Sequence, residues 1–127
     1  MKSLLTIFTL VFSVTLSSTS FAEWTKVTSN VQGTLYIDFE RIRKQGGYVY
    51  YWILIDYLGP TETGTLSGKV YKQGDCKLFR LKFLSVTNYT KPMGGGTGET
   101  YTINDGEWQY ALPDSTFETS LKSACSS

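Results

Sequence analysis

The 127-residue sequence contains no histidine. That removes Ser-His-Asp and Cys-His activation of a nucleophile, and every metal site that needs an imidazole. Cysteine is nearly as scarce, with Cys76 and Cys125 the only two. Two cysteines cannot close a metal site alone, and neither has a histidine base. Net charge is also close to absent, since 12 Lys and Arg stand against 11 Asp and Glu. No bulk field draws such a chain to nucleic acid or to an anionic membrane. No cofactor is expected either. Gly94-Gly95-Gly96 with Gly98 lacks both the Gly-Lys-Ser/Thr and the following helix of a phosphate cradle. Any catalysis would rest on carboxylates, Lys or Tyr. Asp38, Asp56, Asp75 and Asp105 are scattered among turns and strand ends, where capping is their ordinary role. A non-enzymatic protein is the expectation.

What is present begins with a leader. Lys2 precedes an apolar run from Leu4 to Leu16, and small residues follow from Ser17 to Ala22. Ser20-Phe21-Ala22 puts small residues at −3 and −1 of a cut before Glu23, the pattern of a signal peptide. The run is shorter than the ~20 apolar residues of a spanning helix. Residues 1–22 are therefore expected to be a signal peptide and residues 23–127 one exported domain, in the periplasm or at a bacterial cell surface. No cysteine sits near the cut, so neither a lipid anchor nor stable membrane insertion is expected. Lys2 is the leader's only charge, so the remainder is neutral.

The remainder is rich in aromatic residues, which favour half-buried sheet surfaces and interfaces. Strands are expected at 23–27, 33–39, 48–58, 69–73, 77–89, 100–103 and 107–111, with "ERIRKQGG" as a turn and Gly74-Asp75 as a turn or bulge. The segment "YVYYWILIDYL" (48–58) is apolar on both faces and reads as a central strand. After Pro113, Ser115-x-x-Glu118 fits a capping box, and Phe117, Leu121 and Cys125 recur every fourth residue on one helix face. The fold class that results is α+β, mainly β. It is a single antiparallel meander of about five to six strands with a C-terminal helix on one face.

Two cysteines in a small exported protein favour a disulfide, Cys76 to Cys125, which would hold the helix on the sheet for roughly 4 kcal/mol. Behind Cys76, basic and apolar residues alternate: Arg80 and Lys82 on one parity, Phe79, Leu81 and Phe83 on the other. Cys76 shares the parity of the cations. Either a bulge at Gly74-Asp75 intervenes, or the helix covers only the start of that face. Arg80 and Lys82 read either as a solvated strand face or as a partner surface. The candidate partner surface comprises Arg80, Lys82, Phe79, Phe83, Tyr51 and Ile53. A helix of about 16 Å can cover only part of one apolar face of the central strand, so a homodimer or a binding groove is expected on what remains. "KQGGYVYY" (44–51) matches part of an RNA-binding pattern, but Gly46 replaces its first stacking aromatic. No nucleic-acid partner is expected.

Taken in order, several segments resemble the bacterial surface-adhesin protein E family. They are Trp24 with Val27, Leu35–Asp38 ("LYID"), Ile42-Arg43, Trp52 with Asp56-Tyr57, and Ser67-x-Lys69. Asp75-Cys76, Arg80, "PMGGG", Trp108, Pro113-x-Ser115 and Cys125 complete the match. The resemblance implies one antiparallel sheet of about six strands with a disulfide-tethered C-terminal helix. It also implies adhesion to host extracellular-matrix or serum proteins. The alternative is a periplasmic accessory protein that binds a small apolar ligand or an envelope partner.

Overall fold

The computed structural model describes residues 23–127, so the expected leader lies outside the described residues. Among the described residues eight strands form one open sheet: β1 (Thr25–Ser29), β2 (Gly33–Ile37), β3 (Arg43–Gln45), β4 (Tyr48–Tyr57), β5 (Ser67–Asp75), β6 (Arg80–Tyr89), β7 (Gly98–Thr102) and β8 (Gln109–Tyr110). The main path runs β1-β2-β4-β5-β6-β7, with β3 added to β4 and β8 to β6, and every pairing is antiparallel. One helix, α1 (Thr116–Ser126), follows. This is the expected meander with a C-terminal helix.

The segment expected to be a turn, "ERIRKQGG", does more than reverse the chain. Phe39–Arg41 forms a 3-10 turn and Arg43–Gln45 pairs with Tyr48–Tyr50 as β3. Gly46 and Gly47 make that tight hairpin possible, because both take positive φ, 60° and 83°. In β4, parity decides which face each side chain meets. Val49, Tyr51 and Ile53 belong to the core cluster with Leu35, Ile37 and Val70, and with Leu121 and Ala124 of α1. Tyr48, Tyr50, Trp52 and Leu54 point the other way. The helix packs on the first face, with Ser120, Leu121 and Ala124 buried.

The Ser115 cap is present, its side chain accepting the Glu118 N–H at 3.1 Å. The return bond comes from elsewhere than a capping box supplies. Glu118 Oε1 accepts from the N–H of Asp114, which has a positive φ of 62°.

The register conflict at Gly74-Asp75 resolves differently from either expected option. Strand β5 continues through Asp75, and the turn is Cys76–Phe79. Asp75 Oδ1 accepts the N–H groups of Lys77 and Leu78, and Phe79 completes the turn at φ 54°. Cys76 therefore lies outside both strands, and alternation does not connect it to Arg80. The irregularity falls farther along. Tyr71 pairs with Ser85 but Lys72 pairs with Phe83, leaving Leu84 as an extra residue in β6. Gly74 leaves no room for a side chain under the helix. A Cβ there would stand 2.7 Å from Leu121 Cδ1 and 2.9 Å from Val49 Cγ2. The Cys76–Cys125 disulfide joins this hairpin turn to the last turns of α1, with Cα atoms 5.8 Å apart.

Candidate functional site

The six candidate surface residues divide between the two faces. Tyr51 and Ile53 are fully buried in the core under α1, so they form no surface. Phe83 packs edge-on against Phe117 of the helix, and Phe79 packs on the same core. The Leu84 bulge puts Leu81 and Phe83 opposite Gly74 and Lys72, on the helix side. Arg80 and Lys82 alone reach the opposite, helix-free face.

There they share one aromatic ring. The Arg80 guanidinium carbon lies 4.3 Å and the Lys82 Nζ 4.6 Å from the Trp108 ring centroid. Trp108 also packs on Tyr48, their centroids 5.5 Å apart. Arg80 is fixed from behind, its Nε donating to Asp75 Oδ2 at 3.0 Å. The Leu78 N–H bond to Asp75, with those from Arg80 and Lys77, holds that carboxyl below the usual carboxylate range. The result is a ridge of two cations and an indole whose side chains are already ordered.

The centre of the same face is a second aromatic group. Trp52 stacks on Tyr71 at 4.6 Å, and Lys69 Nζ lies 5.4 Å from the Trp52 ring and 5.7 Å from that of Tyr89. Arg43 donates to the Tyr71 hydroxyl at 2.8 Å and lies 5.7 Å from the Tyr50 ring. The far end is closed by the chain itself. Leu54 is fully buried, and the 3-10 turn Pro92–Gly94 is anchored over it. Met93 N–H donates to Asp56 Oδ1 and Gly94 N–H to Ser67 Oγ, both at 2.8 Å. The face is therefore not the bare apolar surface expected of the central strand; its rings carry cations and its one buried leucine is covered.

Sequence reading named Trp108 and Lys69 only for the family resemblance, not as parts of a site, and did not single out Tyr71. A usable signal was there: Tyr48, Tyr50 and Trp52 share one parity, and so do Lys69 and Tyr71. Among the described residues no group of three or more Cys, Asp and Glu is placed to hold a metal ion, and no helix is long and apolar enough to cross a membrane.

No curated protein sequence matches the chain. Solved structures do share its fold. A crystal form II structure of Haemophilus influenzae protein E superposes with a TM-score of 0.64 at 19% identity, covering 85% of this chain and 91% of that one. A second structure of the H. influenzae protein gives 0.62 at 18% identity, covering 85% and 87%. Protein E from non-typeable H. influenzae gives 0.56 at 18% identity, covering 87% and 76%. The family model for surface-adhesin protein E matches residues 24–126, from the residue before β1 to the end of α1. The chain belongs to the surface-adhesin protein E family.

Proposed function

We propose that the chain is an exported, non-enzymatic adhesin that recognises a protein partner, a host-matrix, serum or envelope protein, through the helix-free face. The observation that carries this reading is the seating of Arg80 and Lys82 on the single ring of Trp108. Lone surface cations are mobile and lose side-chain entropy when a partner immobilises them. Two cations already ordered on an indole lose less, and they present positive charge beside an apolar ring. Arg and Trp are among the residue types that dominate interface energetics. The complementary partner surface is acidic with an apolar contact at its centre.

Binding of immobilised matrix and serum proteins, and of envelope extract, tests the reading. Arg80→Gln with Lys82→Gln, and separately Trp108→Ala, should abolish a captured partner's binding and leave the fold intact by circular dichroism. Retention of binding in both variants would remove the ridge from the interface. Light scattering distinguishes a second copy of the chain on this face from a different protein. Protease shaving of intact cells reads whether the domain stands at the surface or behind the outer membrane.

A further inference from the structure

Under α1 the sheet holds two polar atoms with nothing to bond. Lys72 Nζ and Tyr51 Oη are buried, and neither has a hydrogen-bond partner among the described residues. The helix is what closes them off: the Phe117 ring lies over the lysine, and Leu121 packs in the same cluster as Tyr51. Orphaned buried polar groups are unfavourable, whereas water would satisfy both. Lifting α1 therefore hydrates two groups while it exposes Leu121 and Ala124, and the two effects oppose each other.

The fastening lies at the far end of the helix. The Ser115 cap bonds Glu118 of the helix itself and does not tie α1 to the sheet. Near the C-terminus, Lys44 Nζ donates to the Ser127 carbonyl at 2.8 Å, an exposed bond that water can replace. The covalent tie is Cys76–Cys125. Cys76 is exposed, and both cysteines line an open surface pocket of about 400 Å³ with residues 44–49. A small thiol reaches the bridge from that pocket without passing through the core.

We propose that Cys76–Cys125 is a thiol-sensitive latch: its reduction by a dithiol lets α1 leave the sheet, uncovering Lys72 and Tyr51 while the strands stay paired. One thiolate of the reductant attacks Cys76 Sγ, forming a mixed disulfide as the bond to Cys125 Sγ breaks. The second thiolate then closes the reductant's own disulfide and displaces Cys76. Two electrons pass to the bridge, and the dithiol's two protons end on the two cysteines. Acid favours the open form. Around Nζ, β4 supplies Tyr51, β6 Phe83 and α1 Phe117, and no carboxylate forms an ion pair with it among the described residues. On α1, Glu118 is turned to the Asp114 N–H and Lys122 is exposed. A protonated Lys72 therefore finds its solvation only when the helix lifts. The helix-free face takes no part, so the latch stands or falls independently of the proposed protein partner.

Dithiothreitol at pH 8 without denaturant is the probe. It should reduce the bridge, after which hydrogen exchange and an apolar dye are read at pH 6 and pH 9, each against the oxidised protein at the same pH. The expected result is loss of protection across Thr116–Ser126 with β4 and β5 still protected. Dye should bind the reduced form alone, more at pH 6 than at pH 9, and be released on reoxidation. Lys72→Met should lower the open fraction of the reduced protein about tenfold, the scale of one buried group relieved of its missing bond, and remove the pH difference. Where that variant fails to fold, Tyr51→Phe decides by the same tenfold drop. The proposal is overturned by a bridge that resists dithiothreitol until denaturant is added, or by helix amides still protected after reduction. Loss of protection in β4 and β5 together with α1, equal dye binding at both pH values, or a variant as open as the parent would overturn it equally.

Discussion

Lys72 Nζ lies 3.7 Å from the ring centroid of Phe117, inside the interface between sheet and helix. Phe83 provides a second ring at 5.0 Å, and the lysine is fully buried with no hydrogen-bond partner for its Nζ. Its cross-strand neighbour Tyr51 gives no counter-charge, because burial pushes that phenol up and keeps it neutral. Desolvation lowers the Lys72 pKa to about 7.

The sign of the resulting pH dependence is fixed. The unfolded chain keeps Lys72 protonated up to its ordinary value of 10.5, whereas the folded chain releases the proton near 7. Between those limits the unfolded state binds more protons, so stability rises with pH from about 7 to about 10, by an amount of order several kcal/mol. Denaturant unfolding across that range checks it. Lys72→Met should flatten the profile and raise stability at pH 6. A parent profile that is already flat would show that the two rings, or entering water, solvate the ammonium well enough.

Removing the disulfide should loosen the helix first. Cys76→Ser or Cys125→Ser is expected to cost about 2–5 kcal/mol, the usual range for a native disulfide in a small domain. Hydrogen exchange should show the amides of Thr116–Ser126 losing protection before those of β4 and β5. Melting temperatures equal to the parent's in both variants would mean that Leu121 and Ala124 hold the helix unaided.

Gly74 tests how closely α1 is seated. Gly74→Ala places a methyl carbon 2.7 Å from Leu121 Cδ1, closer than carbon atoms pack. The helix must lift or Leu121 must change rotamer, at a cost of about 1–3 kcal/mol. Calorimetry measures the loss. A neutral substitution would mean that this end of the helix yields freely.

Asp75 should make the turn acid-sensitive. Its carboxyl pKa is depressed chiefly by the Leu78 N–H, with help from Arg80 and Lys77. The stability it contributes is present above the unfolded value of 3.8 and is lost as pH falls through the lower folded value. Asp75→Asn should therefore destabilise at pH 7, by an amount that shrinks as the pH falls below 3.8. Because Asp75 also fixes Arg80, the variant should loosen the Arg80–Trp108 contact, visible as a change in Trp108 fluorescence.

The parts of the fold legible in the sequence were those written as patterns. The both-faces apolar run of 48–58 marked the central strand, the four-residue spacing of Phe117, Leu121 and Cys125 marked the helix face, and the scarcity of cysteine paired Cys76 with Cys125. The parts that were not legible depend on single-residue events. A left-handed Phe79 and one extra residue at Leu84 decide which way every side chain of β6 points. Neither residue type favours such a position, and strand alternation cannot be carried across a turn whose length is unknown. Tyr51 and Ile53 were placed on a surface they do not reach because the sequence does not say which face of β4 the helix covers. Lys72 was invisible to pattern altogether, since a lysine between β-formers ordinarily signals solvent.

The tether between Cys76 and Cys125 also governs what a protease can do to the molecule. Every peptide bond from Cys76 to Cys125 lies inside a covalent ring that holds β6, β7, β8 and α1. A single cut anywhere in it, including the exposed Gly96-Thr97 pair, opens the ring and releases no fragment. The nicked protein would keep its mass on a non-reducing gel and separate into two pieces only after reduction. Cleavage at that loop therefore leaves every strand and α1 covalently joined.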